Sequence, residues 1–88
     1  MTYIENTTYP IVGQLINVSR STITVLDSKT RKDVVLDVQT SEQSIEDIKK
    51  RAFQSVMCIA NITYNRHGVI MGKCDKLVLG KLISEVVQ

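Results

Sequence analysis

The strongest constraint in this sequence is a pair of alternating runs, Thr22-Ile23-Thr24-Val25-Leu26 and Asp33-Val34-Val35-Leu36-Asp37-Val38, separated by the polar stretch Asp27–Lys32. Successive side chains of a strand point to opposite faces. The alternation therefore predicts two half-buried strands, the second with Val34, Leu36 and Val38 on one face and Asp33, Val35 and Asp37 on the other. The polar residues between them supply a turn, and the pair reads as a hairpin.

Further β-type runs flank this hairpin. Ile11–Val18 predicts a first strand that begins after Pro10, a residue suited to a strand start because it lacks a ladder donor; Gly13 within it marks a bulge or bend. Val56–Tyr64 is apolar on both faces at its start, as a central strand would be. Asn65-Arg66-His67-Gly68 gives a tight connection into Val69–Cys74 and hence a second hairpin. Asp75–Leu79 suits one more strand, whereas Leu79, Leu82, Ile83 and Val86 also match a short helical stripe. The final eight residues fit neither element uniquely.

One helix interrupts the strands. Ser41 caps it, Glu42, Glu46 and Asp47 crowd its first half, and Lys49, Lys50 and Arg51 crowd its end, the polarity that the helix dipole favours. Ile45, Ile48, Ala52 and Phe53 form an apolar stripe that must lie on the rest of the domain, with Phe53 as its expected anchor.

At 88 residues, with 43% hydrophobic and 23% charged side chains, the chain suffices for one globular domain spanning 1–88. Three tyrosines, one phenylalanine and no tryptophan make the core aliphatic. Cys58 and Cys74 are expected to be reduced and buried, since free cysteine behaves as a small apolar residue. The N-terminus, Met1-Thr2-Tyr3-Ile4-Glu5-Asn6, has neither a basic start nor an apolar run, so it does not read as a signal peptide. No stretch approaches the ~18 apolar residues of a spanning helix, which argues against a membrane partner. A cytoplasmic setting is the expectation. The sequons at Asn6, Asn17 and Asn61 are then ordinary strand and loop residues.

Three strands, a helix between the third and fourth, and a further hairpin resemble the OB-fold, a five-stranded Greek-key barrel. The resemblance rests on Gly13-Gln14-Leu15, the hairpin through Thr22–Val38, the helix at Glu42–Phe53 and the hairpin Val56–Cys74. It is one of element order and carries an architecture rather than an activity. An SH3-like barrel, or an open antiparallel sheet with one packed helix, fits the same order. The expected fold is thus mainly β: a small five- or six-stranded OB-like or SH3-like barrel with one α-helix between strands three and four.

The residues needed for chemistry are sparse. The single histidine, His67, falls in a turn, and with Cys58 and Cys74 it matches no zinc spacing. Asp33 and Asp37 share one strand face, yet read as solvent-facing residues with no cleft around them. Gly13, Gly68, Gly72 and Gly80 are too scattered to cradle a phosphate. No enzyme activity, cofactor or metal is expected.

Two binding functions follow. A protein-interaction or assembly module, self-association included, is suggested by an apolar surplus in the tail, at Leu79, Leu82, Ile83, Val86 and Val87. The alternative is an OB-like module for single-stranded nucleic acid, with candidate contacts at Arg20, Lys29, Arg31, Lys32 and Arg66. A net charge of +2 and a pI near 8.6 support it only weakly. The second and third strands lack stacking aromatics and carry Asp33 and Asp37, which makes the interaction module the leading expectation.

Overall fold

The computed structural model describes residues 3–39, 45–50 and 54–79. Five strands and a helix follow one another: β1 (Thr7–Val18), β2 (Thr22–Asp27), β3 (Asp33–Asp37), α1 (Ile45–Lys49), β4 (Ser55–Arg66) and β5 (Val69–Leu79). The strands close a barrel in the order β1-β2-β3-β5-β4, with β1 also paired to β4. Only the β3–β5 pair is parallel.

The alternation in the central hairpin places residues as expected. Ile23 and Val25 of β2 and Val34 and Leu36 of β3 point inward and are buried, and Val25 lies opposite Val34. Ile11 and Leu15 of β1 and Cys58 and Ile62 of β4 complete the centre of the core. Each fully buried aliphatic side chain contributes about 1.5–3 kcal/mol.

β1 begins at Thr7, earlier than Pro10 suggests, and Pro10 lies inside it opposite Ile59. At that point β1 is paired with β4 alone, because its pairing with β2 starts at Gly13. A strand tolerates a residue without an N–H at such an edge. Gly13 is the crossover between the two partners, and a Cβ there would collide with the Leu26 carbonyl. The glycine thus permits a close approach, while the bulge lies further on, between Leu15 and Asn17.

β5 is a single strand from Val69 to Leu79, so the separate sixth strand at Asp75–Leu79 does not form. Its register shifts opposite Ile59 and Ala60, where Lys76 and Cys74 are the partners and Asp75 is the extra residue. The bulge reverses the inward face, which is why Cys74 and Leu77, three apart, are both buried.

Cys58 and Cys74 are bridged, contrary to the expectation of free thiols. Both point into the barrel from neighbouring strands, with Cα atoms 6.1 Å apart, within the range a disulfide spans. The register of the β4–β5 hairpin makes them neighbours, which their separation in sequence does not reveal. Disulfides persist chiefly in oxidising compartments, so reduced thiols no longer support a cytoplasmic setting. No helix among the described residues is long and apolar enough to cross a membrane.

In α1, Ile48 is buried and Ile45 packs against the core, on the side of β1. Ser41, Glu42, Arg51, Ala52 and Phe53 lie outside the described residues, and with them the expected cap and anchor.

Candidate functional site: a sealed barrel end and two outer surfaces

Asp27 is the one fully buried charged residue among the described residues. It continues the inward row of Ile23 and Val25, which is why the last residue of β2 faces the interior. Its Oδ2 accepts three hydrogen bonds: from the Tyr3 hydroxyl at 2.9 Å, the Thr30 hydroxyl at 2.8 Å and the Thr30 backbone N–H at 3.1 Å. Burial, and then the hydrogen bond to Asp27, push the Tyr3 hydroxyl well above the ordinary tyrosine range. Tyr3 accordingly stays a neutral donor to the carboxylate.

Residues 3–6 form a strap over this end of the barrel. The Asn65 side chain donates to the Tyr3 carbonyl at 2.6 Å, and its backbone N–H donates to Glu5 Oε2 at 2.9 Å. Arg66 reaches Glu5 Oε1 at 3.2 Å, and the Tyr9 hydroxyl accepts from the Ile4 N–H. The Tyr3 and Tyr9 rings lie 4.9 Å apart in a tilted pair. The Asn65 and Arg66 hydrogen bonds hold the Glu5 carboxyl below the usual carboxylate range. Asp27 is sealed beneath the strap, where it fixes Tyr3 and the Thr30 turn rather than offering a base to solvent.

The first outer surface is apolar and spans β1 and β4. Val12 lies opposite Met57 and Pro10 opposite Ile59. Val12 is 42% exposed and Met57 36%, so the pair opens to solvent. Gln14 and Ser55 border the pairs on one side, and Thr8 and Asn61 on the other. Lys76, opposite Ile59, is the nearest charge by register.

The second outer surface is basic and lies at the strap end. Because β3 and β5 run parallel, the loops leading into them, 28–32 and 67–68, emerge side by side. Lys29, Arg31, Lys32 and Arg66 are all exposed there. Arg20 precedes β2, whose first residue Thr22 pairs with the last residue of β3, so it sits at the opposite end. Of the five candidate nucleic-acid contacts, the fold gathers four and separates one.

Leu79 ends β5 opposite Val56. Leu82, Ile83, Val86 and Val87, the rest of the expected interface, lie outside the described residues. Asp33 and Asp37 are on the outer face of β3, and Asp37 accepts from the Gln39 N–H. His67 is exposed in a two-residue turn with Gly68, both at positive φ, away from the buried cysteine bridge. Among the described residues no three His, Cys, Asp or Glu side chains group as metal ligands.

Sequence reasoning missed Tyr3, Asp27 and the Val12–Met57 pair. The period-2 row Ile23, Val25, Asp27 was the available signal for Asp27. Nothing local marks the other residues, whose partners are distant in sequence. No protein-family model matches the chain, and no curated protein is significantly similar to it.

Proposed function

We propose that the domain is a non-catalytic protein-interaction module that associates with a second copy of itself through the outer face of β1 and β4. The observation that carries this reading is the solvent-open Val12–Met57 pair beside Pro10 and Ile59. Cross-strand apolar pairs that remain exposed on a small barrel cost free energy unless another surface covers them. The four border residues are uncharged, and Lys76 and Asp75 stand together at the margin, so two copies can meet across a two-fold axis with no charge at the centre. We also propose that the barrel is of OB type. The strand order, the parallel β3–β5 pair and the helix between β3 and β4 support that assignment.

Light scattering over a range of concentrations tests the interface. The expected mass is twice that of one chain, falling to one chain in Val12→Thr/Met57→Lys. Both substitutions are on the outer face, and the circular dichroism spectrum checks that the barrel persists. A monomer at every concentration, or a dimer indifferent to the double substitution, overturns the reading.

A further inference from the structure

The basic loops are at a different place from the β2–β3 face on which the sequence led us to discount nucleic acid. That face holds Thr22, Thr24, Asp33 and Asp37, and its lack of aromatics is as expected. The strap end has another composition. Lys29, Arg31 and Lys32 project from the loop into β3, and none of them forms an ion pair with a described residue. Of the carboxylates nearby, Asp27 is buried under Tyr3 and Glu5 is engaged by Asn65 and Arg66. Asp33 alone among these is exposed.

Arg66 adds a feature that a simple cluster of charge lacks. Glu5 holds its guanidinium from one side at 3.2 Å, and the guanidinium carbon lies 5.9 Å from the centroid of the Tyr64 ring. Even so, the side chain is 65% exposed. A planar cation held in place, with open surface, is a stacking platform for an unpaired base. Met71, the register partner of Tyr64, and Val69, the partner of Arg66, are both exposed and extend that platform with apolar surface.

We infer that the strap end of the barrel binds single-stranded nucleic acid, with phosphates over Lys29, Arg31 and Lys32 and a base stacked on Arg66 beside Tyr64. The combination selects this partner. Phosphates of any source satisfy the lysines and arginines, whereas an unpaired base can in addition stack on the flat face of the Arg66 guanidinium. The site is separate from the β1–β4 face and stands independently of the self-association proposed above.

Fluorescence anisotropy with labelled single-stranded and duplex oligonucleotides, over a salt series starting at low ionic strength, tests the inference. The single strand is expected to bind more tightly than the duplex and to weaken steeply with salt. Lys29→Ser/Arg31→Asn/Lys32→Ser should make the slope of log affinity against log salt shallower by about two, at ~0.7 for each phosphate contact. Asparagine is chosen for position 31 because it tolerates the positive φ found there. Arg66→Lys keeps the charge but not the plane, and should weaken single-strand binding roughly tenfold while leaving the salt slope nearly unchanged.

Absence of binding to either oligonucleotide at low salt overturns the inference, as does a salt slope unaffected by the triple substitution. Vesicles of phosphatidylserine and phosphatidylcholine serve as the competing anionic surface. Binding to them in preference to the single strand would assign the loops to a membrane surface instead.

Discussion

The Tyr3 hydroxyl donates to Asp27 Oδ2 at 2.9 Å across 24 positions of sequence, and this bond fastens the N-terminal strap over the end of the barrel. Tyr3→Phe keeps the ring and removes the donor, leaving the buried carboxylate to Thr30 alone. The expected cost is about 1–3 kcal/mol, read as a lower urea midpoint with little change in slope. An unchanged midpoint would show that the bond does not stabilise the fold.

Burial of the Tyr3 hydroxyl, and then the same bond, set an alkaline limit. A hydroxyl whose titration is raised on folding contributes stability that is fully present below the unfolded tyrosine value, about 10, and is lost as pH rises through the folded value. Wild type, with three tyrosines, should therefore ionise no more of them near that pH than Tyr3→Phe, which has two. Ultraviolet titration of both proteins checks this, with equal counts in native wild type and variant as the expected result.

Glu5 sets an acid limit of opposite sign. Its carboxyl is lowered on folding by Asn65 and Arg66, so its contribution is present above the unfolded carboxylate value of about 4.3 and is lost as pH falls through the folded value. Glu5→Gln should be less stable than wild type at neutral pH, and the two melting temperatures should converge in acid. A difference that does not shrink at all as the pH is lowered would mean that Glu5 acts through something other than its charge.

The Cys58–Cys74 bridge should leave no titratable thiol in protein denatured without reductant. Cys58→Ala/Cys74→Ala is expected to lower stability by about 3 kcal/mol, the chain-entropy figure for a closed loop of about 15 residues. Two free thiols per chain in the denatured protein would show that the bridge does not form.

Ile48 is the fully buried contact of α1. Ile48→Ala should cost about 2–5 kcal/mol in urea unfolding, from lost transfer energy and the cavity left behind. A stability equal to wild type would show that the helix does not seal the barrel through this residue.

What was legible in the sequence was local. The period-2 rows in Thr22–Leu26 and Asp33–Val38 are read from single strands, and the barrel buries them on the expected faces. The helix between strands three and four, and a tight connection leading into Val69, likewise follow from residues near one another, although Asn65 and Arg66 belong to β4 and His67 and Gly68 alone make the turn. The reading broke where a strand changes face. Asp75 inserts one residue into β5, and a period of two cannot be followed through a bulge, so one strand was divided in two.

By itself, then, the sequence determined that the chain is a series of β-type runs, which side chains β2 and β3 turn inward and that a helix follows β3, because those properties depend on residues within a few positions. Tertiary structure alone decided which residues meet. Pairing β4 with β5 brought Cys58 to Cys74, closing β1 on β4 set Val12 beside Met57, and folding the strap over the barrel end put Tyr3 on Asp27. The parallel β3–β5 pair gathered Lys29, Arg31, Lys32 and Arg66 and left Arg20 at the far end. Each depends on strand register across the closed barrel. Register is fixed by burial of the whole core at once, and no short stretch of sequence contains it.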